Sequence, residues 1–113
     1  MAARGISVVV PTRNRPESLR RCLAALAAQS VGEPLEIVVV DDGSDAAAEV
    51  AAVVRAVPDA RLVRQSRGGP GAARNAGVRA ARGAVVCLTD DDCEPEPSWA
   101  ATMADAVRAG ADV

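Results

Sequence analysis

Residues 35–45 read LEIVVVDDGSD, an apolar, β-branched run that ends abruptly in two carboxylates. A strand with one wet face alternates apolar and polar residues, whereas a run apolar nearly throughout belongs to a strand covered on both faces. Residues 35–40 are therefore read as a strand inside a sheet with helices on each side. Asp41 and Asp42 then open a turn, DDGSD, with Ser44 or Asp45 as the expected N-cap of a helix through AAAEVAAVVRAV, a helix that Pro58 stops.

The same unit recurs outward in both directions. ISVVVPT (6–12) is a strand ending at Pro11, and RPESLRRCLAALAAQ (15–29) carries Leu19, Cys22, Leu23 and Leu26 at helical spacing with Pro16 in the first turn. Downstream, ARLVRQ (60–65) is a short strand. SRGGPGAARNAGVRAARG (66–83) is a glycine-rich loop running into a helix that Gly83 is placed to end. AVVCLT (84–89) is a fourth strand, PSWAATMADAVRAG (97–110) a last helix, and ADV (111–113) the start of a further strand. Strand and helix alternate throughout, which predicts an α/β fold with a mainly parallel, Rossmann-like sheet and helices on both faces.

Composition narrows the chemistry. The 113 residues amount to one domain or part of one, half apolar, with a net charge of -2, which gives no reason to expect nucleic-acid binding. No run reaches the length of a membrane span, and the apolar part of the N-terminus is too short for a secretory signal. Three cysteines without CxxC spacing form no metal or disulfide framework. Cys22 and Cys87 read as small core hydrophobes, and the setting is expected to be reducing and cytoplasmic. There is no histidine, and all 13 basic residues are arginine. Ser-His-Asp and Cys-His pairs, a Walker lysine and a Schiff-base lysine are thereby excluded, which leaves carboxylates, arginine, backbone amides or a bound ion.

Ligands of parallel α/β sheets bind beyond the carboxyl ends of the strands. Four polar clusters fall there: PTRN, DDGSD, RGGPG and TDDD. A lone acidic turn is accounted for by a helix N-terminus, where aspartate is favoured by the dipole. Asp90, Asp91 and Asp92 beside Asp41 and Asp42 are a different matter, since that much negative charge at one edge suits a hard divalent cation. GGPGAARN can present amides and a helix N-terminus to an anion, with Arg74 or Arg67 on a phosphate. It lacks the GK[ST] ending of a Walker loop, and PTRNRP has no glycine for a dinucleotide fingerprint. Thr12 and the adjacent backbone can meet a ligand, and Arg13 can lay its guanidinium on a base. Arg79 and Arg82 read as a solvated helix face, and Trp99 as a packing residue beneath the acidic turn. A phosphotransfer domain, the other chemistry of acidic strand ends, ordinarily needs a lysine, and Val40 stands where a DxDG nucleophile would be.

Taken in order, ISVVVPTRNRPESLRRCLAALAAQ, EIVVVDDGSD, GGPGAARNAGVRAARGAVVCLTDDD and PSW resemble the nucleotide-binding half of family 2 glycosyltransferases, which have the GT-A fold. The resemblance covers almost the whole chain. It implies a nucleoside diphosphate-sugar donor, a UDP-sugar foremost, and a divalent cation, Mg²⁺ or Mn²⁺. It also implies an inverting transfer to a glycan, lipid or small-molecule acceptor. On it, Pro11, Thr12 and Arg13 border the nucleobase, Asp42 hydrogen-bonds the base with Asp41 beside it, and Arg74 lies near the donor phosphates. Asp90-x-Asp92 matches the DxD motif, Asp90 toward the ribose or sugar and Asp92 as the metal ligand, with Asp91 as the variable spacer.

Two positions depart from the family. Arg13 stands where an aromatic residue is frequent, and Cys93 where an acid often follows the DxD. Family members also continue past this point with an acceptor-binding half that carries the general base. Residues 1–113 are therefore expected to be the N-terminal donor-binding piece of a truncated domain, with its base beyond Val113. The resemblance leaves room for a parent protein at the inner face of the plasma membrane. The alternative reading is a non-catalytic nucleotide-binding or regulatory module that lacks the acceptor half.

Overall fold

β2 (Leu35–Asp42) lies at the centre of the molecule, and every residue from Ile37 to Asp42 is buried. The computed structural model describes residues 4–110. β1 (Ile6–Thr12) pairs with β2 on one side and β4 (Val85–Leu88) on the other, and β3 (Ala60–Gln65) flanks β2, giving the order β3-β2-β1-β4. All three pairings are parallel, with Val9 opposite Val38 and Leu88, and Asp42 opposite Gln65. Both central strands run further than their apolar residues suggest: β1 includes Thr12 and β2 includes both aspartates. The ladders pair Thr12 with Asp41, Asp41 also with Arg64, and Asp42 with Gln65.

The helices are α1 (Pro16–Ala27), α2 (Ala47–Arg55), α3 (Pro70–Ala80) and α4 (Trp99–Arg108). One sheet face is thick. Leu19, Cys22, Leu23 and Leu26 of α1, Val50, Val53 and Val54 of α2, and Ala100 and Ala104 of α4 pack on Ile6, Val8, Val10, Ile37, Val39, Val85 and Cys87. Trp99 is half-buried against this core. The other face is thin: α3 alone covers it, placing Ala73 on Val9, Val38 and Val40. The alternation of Val8 and Val10 with Val9 sends successive side chains to opposite faces, so the apolar run in each strand serves two cores.

Close approach of α3 to the sheet depends on Gly77, where a Cβ would overlap the Val9 side chain. Contrary to the sequence expectation, Gly83 does not end α3. The helix stops at Ala80, Ala81 turns extended, and Gly83 instead lies against Ser7, where a Cβ would come within 2.7 Å of the Ser7 nitrogen. The bases of the strands are tied by Glu36, which accepts hydrogen bonds from Ser7 Oγ, Arg61 Nε and the Arg82 amide. Burial pushes the Glu36 carboxyl up, but those donors together hold it below its usual range. Arg79 is exposed on α3, as expected, whereas Arg82, also exposed, lies beyond the end of the helix rather than on its face.

The start of α2 corrects another expectation. Neither Ser44 nor Asp45 caps it, and its N-cap position is Ala46. Asn14, in the loop after β1, reaches across and accepts from the Asp45 and Ala46 amides at 2.8 and 3.2 Å, while its own amide donates to Ser44 Oγ at 2.9 Å. Asn14 has φ of 55°, a left-handed conformation that asparagine tolerates better than most residues. The strand expected at residues 111–113 lies outside the described residues.

Candidate functional site

The end of β2 and the segments following β1, β3 and β4 meet in one cleft of about 420 Å³ at the carboxyl edge of the sheet. Pro11, Thr12, Arg13 and Arg15 contribute from the β1 side, and Asp42 from β2. Arg67, Gly69, Pro70, Ala73 and Arg74 come from the β3–α3 loop and α3, and Asp90, Asp91 and Asp92 from beyond β4. The sequence-derived residues Pro11, Thr12, Arg13, Asp42, Arg74, Asp90 and Asp92 are thus brought together. Asp41 is not among the lining residues.

The strand pleat separates the two aspartates. Asp42 shares the face of Val38 and Val40 and points to the glycine loop. Its Oδ1 accepts from Gln65 Nε2 and the Gly68 amide, both at 2.8 Å, and its Oδ2 from the Gly69 amide at 3.0 Å. The Gln65 bond and the two loop amides, with Arg13 nearby, hold the Asp42 carboxyl below the usual aspartate range. Gly69, at φ of 94°, is the residue before Pro70 and the N-cap of α3. A side chain in that left-handed geometry would be strained, so glycine is needed for the loop to turn its amides onto Asp42. Asp41 faces the opposite way. It is fully buried, its Oδ1 accepts the Ser44 amide at 2.9 Å, and its Oδ2 lies 3.7 Å from Arg64 Nε. It builds the β2–α2 turn.

The acidic turn shows the same division. Asp90 and Asp92 project outward, with side chains 63% and 60% exposed, whereas that of Asp91 is 9% exposed. Thr12 Oγ1 donates to Asp91 Oδ2 at 2.8 Å, and Arg15 stands 3.4 Å from Oδ1. Burial pushes the Asp91 carboxyl above its usual range, against the lowering effect of the Thr12 bond and the Arg15 charge. Arg15 also lies 3.8 Å from Asp92, and Arg74 lies 3.5 Å from Asp90. Each carboxylate of the turn therefore has an arginine beside it.

Oxygen atoms of Asp90 and Asp92 and the sulfur of Cys93 all lie within 4.8 Å of one another, and all three residues are exposed. Two exposed carboxylates in a cleft lined by arginines and a helix N-terminus fit a hard divalent ion shared with phosphate oxygens. The Arg13 Nε is buried without a hydrogen-bond partner among the described residues. Buried donors are nearly always partnered, so an unpaired one in a cleft points to an acceptor on a ligand. Cys22 and Cys87 are buried core thiols. Burial, with Asp91 next in importance, pushes the Cys22 thiol up to about 12, and it donates to the Asp90 carbonyl at 3.5 Å.

Arg15 is not legible in the sequence as a site residue. Its only signal is its place one residue before the helix-starting Pro16, which puts it at the mouth of the cleft. Asp91 reads as a spacer in the motif, yet in the fold it is the member of the triplet most firmly tied to the rest of the molecule. Among the described residues, no helix is long and apolar enough to cross a membrane.

Known proteins are similar to this chain in sequence and in fold. The hyaluronan synthase of Pasteurella multocida is 39% identical over 100 residues, a match covering 84% of this chain and 10% of that protein. Among solved structures, S. aureus TarS 1-349 in complex with UDP-GlcNAc superposes with a TM-score of 0.72 at 31% identity, covering 91% of this chain and 30% of that one. Mannosyltransferase PcManGT from Pyrobaculum calidifontis, in complex with GDP-Man and Mn²⁺, superposes with a TM-score of 0.67 at 30% identity, covering 81% and 30%. The chain thus spans a third or less of the length of these relatives, and its fold is the N-terminal part of their GT-A architecture. The family model for glycosyl transferase family 2 matches residues 7–113, a span that takes in every strand end lining the cleft. By fold, motif order and this match, the chain belongs to glycosyl transferase family 2.

Proposed function

We propose that residues 1–113 form the donor-binding part of a glycosyltransferase, holding a nucleoside diphosphate-sugar and a divalent cation in the cleft at the strand ends. The observation that carries the reading is the convergence of Asp42, Arg74, Asp90 and Asp92 on that one cleft. The complexes of the related TarS with UDP-GlcNAc and of PcManGT with GDP-Man and Mn²⁺ support a nucleotide-sugar and a metal.

On this reading Pro11 and Arg13 border the nucleobase, and the unpaired Arg13 Nε donates to a base acceptor. Asp42 has three donors on its two oxygens, which leaves a lone pair for a base N–H. Arg74 and Arg67, with the amides opening α3, face the diphosphate. Asp90 orients the ribose or sugar and Asp92 holds the cation. When bound, that cation, Mg²⁺ or Mn²⁺, supplies charge stabilisation to the departing diphosphate. Arg15 and Arg74 add fixed positive charge beside it, which favours the same developing charge. The acceptor hydroxyl attacks the anomeric carbon with inversion, and its general base belongs to the acceptor-binding half of the whole protein.

Calorimetric titration tests this directly. UDP is expected to bind far more tightly with Mn²⁺ present than with chelator, and Asp92→Ala to weaken the metal-dependent part about 10-fold or more. Metal-independent binding, or none by folded protein, would sink the reading.

A further inference from the structure

We propose that Asp91, the middle carboxylate of the Asp90–Asp92 triplet, is a positioning residue that locks the acidic turn onto the end of β1 and sets the direction of its two neighbours. The role rests on the donor- and metal-binding reading above and adds a residue that a DxD pattern leaves undefined.

A spacer needs only to be small. A carboxylate buried at that position is costly, because burial removes water that stabilises the charge, and it persists where partners offset the cost. Both Asp91 oxygens are engaged, Oδ2 by the buried Thr12 hydroxyl at 2.8 Å and Oδ1 by Arg15 at 3.4 Å. Thr12 is the last residue of β1 and is itself 4% exposed. The bond therefore joins the centre of the sheet to a turn that follows the short edge strand β4.

The remaining ties of that turn are weaker in kind. The Thr89 amide donates to the Val9 carbonyl at 3.1 Å, the Cys93 amide closes the turn on the Asp90 carbonyl at 3.1 Å, the Cys22 thiol reaches the same carbonyl at 3.5 Å, and Arg74–Asp90 and Arg15–Asp92 are exposed ion pairs at 3.5 and 3.8 Å. None of them joins a side chain of the turn to a buried side chain of the sheet, as the Thr12–Asp91 bond does. Side chains at successive positions of such a turn point different ways, so anchoring Asp91 inward obliges Asp90 and Asp92 to face the cleft. Arg15 follows from the same anchor. It is held between Asp91 and Asp92, 3.4 and 3.8 Å from their carboxylate oxygens.

The test compares wild type, Thr12→Val, Asp91→Ala, Asp91→Asn and the Thr12→Val/Asp91→Ala double variant. Each is checked for cooperative unfolding, then titrated with UDP with and without Mn²⁺, and amide exchange at residues 89–93 is measured without ligand. Thr12→Val and Asp91→Ala are each expected to weaken Mn²⁺-dependent UDP binding about 10-fold, in the range of residues that orient metal ligands. The double variant should be no weaker than Asp91→Ala alone, because both changes break one bond. Asp91→Asn, whose amide oxygen still accepts the Thr12 hydroxyl, should recover most of the loss. The Mn²⁺-dependent part of UDP binding should fall more than the metal-free part, and exchange at 89–93 should quicken in Asp91→Ala and Thr12→Val. Wild-type binding by Asp91→Ala, fully additive losses or unchanged exchange would each overturn the role. So would an Asp91→Asn as impaired as Asp92→Ala, by making Asp91 a ligand. Wild type without metal-dependent binding would remove the functional reading and this role together, whereas normal wild type with an unaffected Asp91→Ala removes this role alone.

Discussion

Two adjacent aspartates, Asp41 and Asp42, carry the same chemistry to different ends because the strand pleat turns them to opposite faces. Asp41 gives one oxygen to the β2–α2 turn, and Asp42 holds the glycine loop at the cleft. The Asp42 hydrogen bonds make the ionised form the stable one in the folded protein, so the sign of its pH effect is fixed. Its contribution is complete above the ordinary aspartate pKa of about 3.9 and is lost as pH falls through the lower folded value. Asp91, pushed upward by burial, acts in the opposite sense: its contribution is present at low pH and is lost as pH rises through its raised value. Urea unfolding of wild type and Asp42→Asn across about pH 3–7 separates the two. Wild type should be the more stable near neutrality, and the difference should shrink below about pH 4. A difference that stays constant through that range would show that the Asp42 charge is not used.

Among the elements, α3 is the one whose sequence says least about its packing. It is rich in alanine, arginine and glycine, buries only Ala73 and Gly77, and yet closes one whole face of the sheet. It does so by lying close rather than by inserting large side chains, and Gly77 against Val9 sets the spacing. Within a helix, glycine to alanine ordinarily stabilises by about 1 kcal/mol. At Gly77 the sign should reverse, because forcing a methyl into a filled core costs about 1–3 kcal/mol. At Gly71, in the same helix, a Cβ would point into open space, with no atom of another element within 4 Å. Gly71→Ala should therefore hold or raise the denaturation midpoint where Gly77→Ala lowers it. Equal effects at both sites would mean that α3 is free to move away from the sheet.

At the scale of the whole molecule, helix ends are finished by side chains from elsewhere in the chain. Among the described residues, no helix carries a side-chain cap from its own N-cap residue. Asn14 serves α2, Asp42 the entry to α3, and Gln29, following α1, accepts the Ala100 amide of α4 at 2.8 Å while donating to the Glu96 carbonyl at 2.8 Å. Loss of a cap costs about 0.5–2 kcal/mol, so Asn14→Ala and Gln29→Ala should each lower stability by that order in chemical denaturation. An effect within experimental error for both would mean that water replaces these bonds without penalty. These long-range caps mark the border of what could be read from residues alone. The alternation of apolar runs with helical spacing determined a parallel α/β sheet with two covered faces, since strands apolar nearly throughout need a layer on each side. Their acidic and glycine-rich punctuation determined that the polar ends share one edge, because parallel strands all finish on the same side. Which of two neighbouring aspartates enters the cleft, that Arg15 joins it, that Asn14 rather than Ser44 caps α2, and that Asp91 is anchored to Thr12 were decided only by the tertiary structure. Each depends on pleat phase, or on contacts such as those between Asn14 and Ser44, 30 positions apart, and between Thr12 and Asp91, 79 positions apart. Local sequence carries no record of either.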